Sequence, residues 1–180
     1  MVTGAHAPST VQQGALVLLR TLIGWHFLYE GYFKLLHPAW SRNGAPLEPF
    51  ASADYLRNAS GPFAALFQTL ADPAWAPWID NGVAIALLIT GLLLTLGLFT
   101  QLGCSAALLL LILFYLSAIP LRGVPEARAE GAYLIVNKNL IEAASVTVLL
   151  AFRTGRFAGL DVWRLTLSRS SRSERAVASP

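Results

Sequence analysis

The chain reads as an all-α membrane protein, a four-transmembrane-helix bundle with a long aromatic-rich outer loop between helices 1 and 2. Three observations lead there. Of 180 residues, 55% are hydrophobic and only 13% charged, about half the usual ~25% charged of a soluble domain. Four apolar stretches, 13–36, 81–100, 102–119 and 133–152, approach the roughly 20 residues of helix that cross a ~30 Å hydrocarbon core. Those stretches still contain Arg20, Glu30, Lys34, Lys138 and Glu142. A charge inside a span costs at least ~2.5 kcal/mol on insertion scales, so it is kept where it has a partner or a task.

In the first span, Arg20, Gly24, Phe27, Gly31 and Lys34 fall within an arc of about 80°, with Glu30 at its edge. This face turns inward, and its two glycines let another helix backbone approach closely. Residues 1–36 lack the basic start of a signal peptide and contain Arg20, so the segment reads as a retained helix. The 38–78 loop combines Pro38, Pro46, Pro49, Pro62, Pro73 and Pro77 with Trp40, Phe50, Tyr55, Phe63, Phe67, Trp75 and Trp78. Such rings suit an interfacial layer, apolar body buried and polar tip wet. Within it, 60–70 predicts a short helix opened by Ser60 or Gly61 with Pro62 in the first turn, lying across the outer mouth of the bundle.

Spans two and three carry no charge inside their apolar lengths and read as walls, joined by an inner hairpin at Thr100-Gln101. Asp80-Asn81 marks the start of span two, where a carboxylate is favoured by the helix dipole. In span four, Lys138, Glu142, Ser145 and Leu149 share a face. Residues 157–164 then form an interfacial stretch anchored by Trp163. Residues 1–164 are read as one membrane domain and 165–180 as a basic, flexible cytoplasmic tail.

The net charge of +3 and pI near 9.4 come largely from Arg153, Arg156, Arg164, Arg169, Arg172 and Arg175 after the last span. That is a topology signal and no sign of nucleic acid: the positive-inside rule puts both termini in the cytoplasm of a multi-pass protein. Cys104 is the single cysteine, which excludes an internal disulfide and a cysteine-ligated iron–sulfur cluster. Of the histidines only His26 is intramembrane, so paired ligation of haem fails, and no metal set is visible.

Glu30 lies about 9 Å inside the outer end of span one and Glu142 about 14 Å inside that of span four. With Lys34 and Lys138 nearer the surface, two i,i+4 Glu/Lys pairs face a common space of near-zero net charge. One reading makes them structural ion pairs that tie helices together. The other makes the space a pocket for a quinone, whose carbonyl oxygens accept hydrogen bonds and gain protons on reduction. Glu30 and Glu142 are then the catalytic acid–base groups, and His26, Tyr29, Lys34, Lys138 and Asn139 bind the quinone. A lone His on such a helix is more often a packed or interfacial residue, and Arg20, about 10 Å inside the inner end, reads as structural.

The run 19–35, with Arg20, then Gly24, then Phe27-Leu28, then Gly31-x-x-Lys34, resembles the first helix of the DoxX/DoxD family. Residues 91–100 are similar to its second helix, and Asn139-Leu140-Ile141-Glu142-Ala143 and Gly159-Leu160-Asp161 to its fourth helix and C-terminal turn. The resemblance spans about 14–164. It implies a four-helix bundle of the bacterial or archaeal inner membrane and, for DoxD-like members, the membrane subunit of thiosulfate:quinone oxidoreductase. Without a sulfur-handling domain or a cysteine outside the membrane, thiosulfate oxidation calls for a partner.

The expected function is the membrane subunit of a quinone-linked oxidoreductase, with quinone in the outer half of the bundle and no haem, metal or iron–sulfur cluster. Its expected partners are the lipid bilayer and other membrane or periplasmic subunits. The alternative is a non-catalytic accessory or scaffold subunit of a larger respiratory or photosynthetic complex, with the same charges as glue. A small-solute transporter is disfavoured, since no span is broken and no repeat is visible.

Overall fold

Proline, glycine and asparagine decide where the helices of this chain start and stop. A computed structural model describes residues 7–36, 50–119, 135–164 and 166. It gives α1 (Thr10–Leu36), α2 (Ser52–Arg57), α3 (Ala64–Leu70), α4 (Ala76–Leu96), α5 (Thr100–Ser117) and α6 (Lys138–Phe152), then a 3-10 turn, Thr154–Arg156. The described residues are mostly helical and contain no strand. Pro77 sits in the first turn of α4, where its missing N–H costs nothing, so α4 begins five residues earlier than the apolar pattern predicts. It ends at Gly97, in the left-handed region at φ 63°, with Leu98 N–H donating to Leu93 O at 3.0 Å, a Schellman stop. Asn137 caps α6 by accepting Leu140 N–H at 3.0 Å. That cap places the start of α6 at Lys138 instead of in the expected apolar run from 133, whose first two residues lie outside the described ones.

Two of these helices, α4 and α5, are long and apolar enough to cross a membrane. α1 has 27 residues but carries Arg20, Glu30 and Lys34, and α6 has only 15, about 22 Å of helix. The four long helices pack in a ring, α1 on α4, α4 on α5, α5 on α6 and α6 on α1. Their shared core comprises Ile23 and Phe27, Leu87 and Leu94, Cys104, Ala107 and Leu111, and Ala143, Val146 and Leu149.

The α1–α4 seam is made by glycine. A Cβ on Gly24 would lie 2.7 Å from both Thr95 N and Thr95 Oγ1, one on Gly31 would meet the Leu88 backbone, and one on Gly91 would meet the Leu28 backbone. Helices that touch backbone to backbone cannot admit a methyl group there.

At one end of the ring, Arg20 is 2% exposed and donates from Nη1 to Ala158 O at 2.8 Å and Thr154 O at 3.2 Å, the structural role expected for it. Asp161 on the same C-terminal segment accepts Phe99 N–H and Thr100 N–H, each at 2.8 Å, on its two carboxylate oxygens. It thereby caps α5 from elsewhere in the chain and holds Phe99 at φ 47°. Burial works against the Asp161 anion, but the Thr100 and Phe99 hydrogen bonds and the nearby Arg164 hold its carboxyl below the usual aspartate range.

At the other end, the loop segment lies across α4 and α5. Leu56, Ala59, Phe67 and Ala71 pack with Ile79 and Leu116, and Ser60 N–H donates to Ser117 O at 3.2 Å. The short helix foreseen from Ser60 starts at Ala64, because Gly61 takes φ 90° and turns the chain first. α2 is an element that the sequence pattern does not announce. Its first N–H, from Ser52, donates to Asp80 Oδ1 at 2.7 Å. Asp80 therefore sits in the second turn of α4 and serves the start of α2, where a carboxylate at the start of its own helix was expected. Trp40 lies outside the described residues.

Two outcomes test this packing. Gly91→Ala should lower stability by about 1–3 kcal/mol by overpacking, whereas Gly82→Ala on the same helix, where a Cβ meets nothing within 4 Å, should be neutral or up to about 1 kcal/mol stabilising. Denaturant or thermal unfolding of the two variants reads the difference. For Asp161, the native carboxyl titrates below the ~3.9 of an unfolded aspartate. Its contribution is therefore complete above about pH 5 and is lost as pH falls through the native value. Asp161→Asn should lower the melting temperature at pH 7, and the gap from the parent should begin to narrow below about pH 4 and close only once the pH has fallen through the lower native value.

Candidate functional site

The site is built from one face of α1. His26, Glu30 and Lys34 recur at i, i+4 and i+8, which stacks them along a helix, and with Phe27 they line a cavity of about 240 Å³. Val83 and Leu87 of α4, Leu111 and Phe114 of α5, and Lys138 and Asn139 of α6 complete its walls, with Phe50 and Tyr55 from the loop segment over it. The volume is just under the ~300 Å³ lower end of ordinary small-molecule sites, enough for a head group. The lining is mainly apolar, with the polar side chains gathered on the α1 and α6 sides.

His26 Nδ1 lies 2.8 Å from Glu142 Oε1. An ionised carboxylate only accepts, so Nδ1 carries the hydrogen and Nε2 is left as the second ring nitrogen. Glu142 is 14% exposed and His26 44%; the imidazole lines the cavity and the carboxylate is not among the lining residues. Lys34 Nζ binds Glu30 Oε2 at 3.0 Å and lies 4.3 Å from the centre of the Phe50 ring, a cation–π distance. Tyr55 OH donates to Phe114 O at 3.2 Å and accepts from Ser117 Oγ at 3.1 Å, which fixes its ring over α5.

Of the residues expected at the site, His26, Glu30, Lys34, Lys138 and Asn139 line the cavity together. Tyr29 does not: it is 45% exposed, its ring 4.2 Å centre to centre from that of Phe33. The expected Lys138–Glu142 pair is also replaced. Lys138 is the first residue of α6 and forms no ion pair within 4 Å among the described residues, while Glu142 turns to His26 across the α1–α6 contact. The cap at Asn137 makes Lys138 the first residue of α6, so Glu142 stands about 6 Å into the helix instead of about 14 Å, and its carboxylate reaches His26 Nδ1 on α1. The Glu30–Lys34 pair forms as the spacing predicts. Phe50 and Tyr55, which by sequence are only two of the interfacial aromatics, also line the cavity, because the loop's fold brings them over it.

Among the described residues no three His, Cys, Asp or Glu side chains are placed to hold a metal ion. Compared with protein-family models, curated proteins and solved structures, the chain matches none of them.

Proposed function

We propose that the chain is a four-helix, multi-pass protein of a bacterial or archaeal inner membrane, with both termini cytoplasmic, that binds the head group of a quinone in the His26 cavity as a subunit of a quinone-linked oxidoreductase. The membrane setting is supported by α4 and α5 and by the outward face of the ring. Leu18, Leu22 and Trp25 of α1, Ile85 and Ile89 of α4, Leu109 and Ile112 of α5 and Ile141 and Val148 of α6 are all more than 40% exposed, an apolar belt larger than soluble monomers tolerate. The resemblance of 14–164 to the DoxX/DoxD family points the same way.

The observation that carries the quinone reading is the His26–Glu142 pair at the wall of an apolar cavity. A quinone supplies two carbonyl oxygens and takes up two electrons and two protons; the electrons come from a partner subunit or a reduced anion outside. The chain's own residues bind and deliver protons. Glu142 accepts from Nδ1–H of the imidazole; when the ring carries its second proton, Nε2–H can donate to a carbonyl oxygen and pass that proton on. Glu30, paired with Lys34, faces the same space and can take a proton from solvent and pass it to His26, while Lys138 and Asn139 offer further donors. The apolar walls receive the ring.

The His26–Glu142 bond is also a tie between α1 and α6, which contact each other little elsewhere, and this favours the accessory-subunit reading as the second one. Glu142→Gln separates them, because glutamine keeps an acceptor for Nδ1–H and removes the charge. The quinone reading expects the purified Glu142→Gln and His26→Leu variants to bind a short-chain quinone about tenfold more weakly, the ~1.4 kcal/mol worth of one charge-assisted hydrogen bond. In native membranes quinone reduction should fall about 10²–10⁴-fold, with Glu142→Gln unchanged in melting temperature. Normal binding and turnover in both variants would leave the accessory role.

A further inference from the structure

We propose that a second cavity, at the Asp161 end of the ring, is a binding site for the phosphate of an anionic membrane phospholipid. The cavity measures about 340 Å³, and three arginines from separate local elements line it. Arg153 is the residue that ends α6 at φ 49°, Arg156 closes the 3-10 turn, and Arg164 lies 4.3 Å from the centre of the Phe99 ring. No carboxylate stands within 4 Å of any of the three guanidinium groups among the described residues. The one acid on the wall, Asp161, has each carboxylate oxygen taken by a backbone N–H. Three positive charges thus face one space with one engaged negative charge, and guanidinium forks match the paired oxygens of a phosphate.

The surroundings select a lipid over a free anion. Phe99 and Leu102 on the cavity wall are 45% and 62% exposed, and Phe152 and Trp163, the chain neighbours of Arg153 and Arg164, 50% and 66%. A phosphate held by the arginines would place its acyl chains along these rings, at the depth where aromatic side chains and basic residues meet lipid head groups. The arginines that set the topology would then do so partly through a defined contact. The inference rests on the ring of helices lying in a bilayer and is independent of the quinone.

The test uses the full chain purified in a neutral detergent, with its recovery from the membrane fraction after alkaline carbonate washing read first; recovery as soluble protein would overturn the membrane reading before any lipid is added. Melting temperature is then followed while short-chain phosphatidylglycerol, short-chain phosphatidylcholine or inorganic phosphate is titrated in. The expected result is a saturable rise with phosphatidylglycerol, none with phosphatidylcholine, and at most a small one with phosphate at equal concentration. In an R153Q/R156Q/R164Q variant the apparent affinity for phosphatidylglycerol should fall at least tenfold with the helical circular dichroism intact. If that variant does not fold, R153Q/R156Q, which keeps the Arg164–Phe99 contact, should show the same loss. An equal rise with phosphatidylcholine, or an unchanged phosphatidylglycerol response in the arginine variants, would overturn the proposal. A full response to inorganic phosphate alone would overturn the lipid assignment in favour of a free-anion site.

Discussion

Backbone contact between α1 and α4 at Gly24, Gly31 and Gly91 is the constraint on which the rest of the arrangement depends. A helix pressed against its neighbour without intervening side chains has its rotation fixed, because any turn about its axis would drive a Cβ into the seam. With α1 fixed in this way, Phe27 and Ile23 enter the core, Arg20 reaches the C-terminal turn, and His26, Glu30 and Lys34 face α5 and α6. Leu18, Leu22 and Trp25 are left outward. One seam therefore places both polar ends of a mostly apolar helix.

Those two ends solve the problem of a charge among apolar side chains in different ways. Arg20 Nη1 is held by backbone carbonyls of one local turn, and Asp161 on the same segment closes the α4–α5 connection, so that end is a locked joint. A buried charge with fixed partners adds geometry more than stability. At the opposite end the charges remain partly exposed and border an open volume, the state in which ionisable groups can still exchange protons with a ligand. On the proposed function, the locked end keeps the ring in register while the open end does the chemistry.

Much of this was legible in the sequence because membrane-like helices leave strong signals. The apolar runs located all four long helices, the 100° periodicity put Arg20, Gly24, Phe27 and Gly31 on the buried face of α1, and the i,i+4 spacing gave the Glu30–Lys34 pair. What escaped was set by single residues acting across the chain. Pro77 and Asn137 moved the starts of α4 and α6, and Glu142 pairs across the α1–α6 contact with His26. Asp80 organised α2, and Asp161 organised the start of α5. Spacing along one helix announces neighbours on that helix; it cannot report that an imidazole from α1 stands closer to Glu142 than the lysine four residues before it. Phe50 and Tyr55 reach the cavity through a loop whose path no periodicity encodes.

The central claim is that a quinone head group occupies the space between His26, Lys138 and Phe114. Photolabelling with a radioactive azidoquinone in native membranes, followed by peptide mapping, tests it most directly. The account predicts label concentrated on the α1 peptide containing His26 to Lys34 and on the α5 peptide containing Leu111 and Phe114, reduced by excess unlabelled quinone. Label spread evenly over the outward residues of all four helices, or label that excess quinone does not displace, would contradict it.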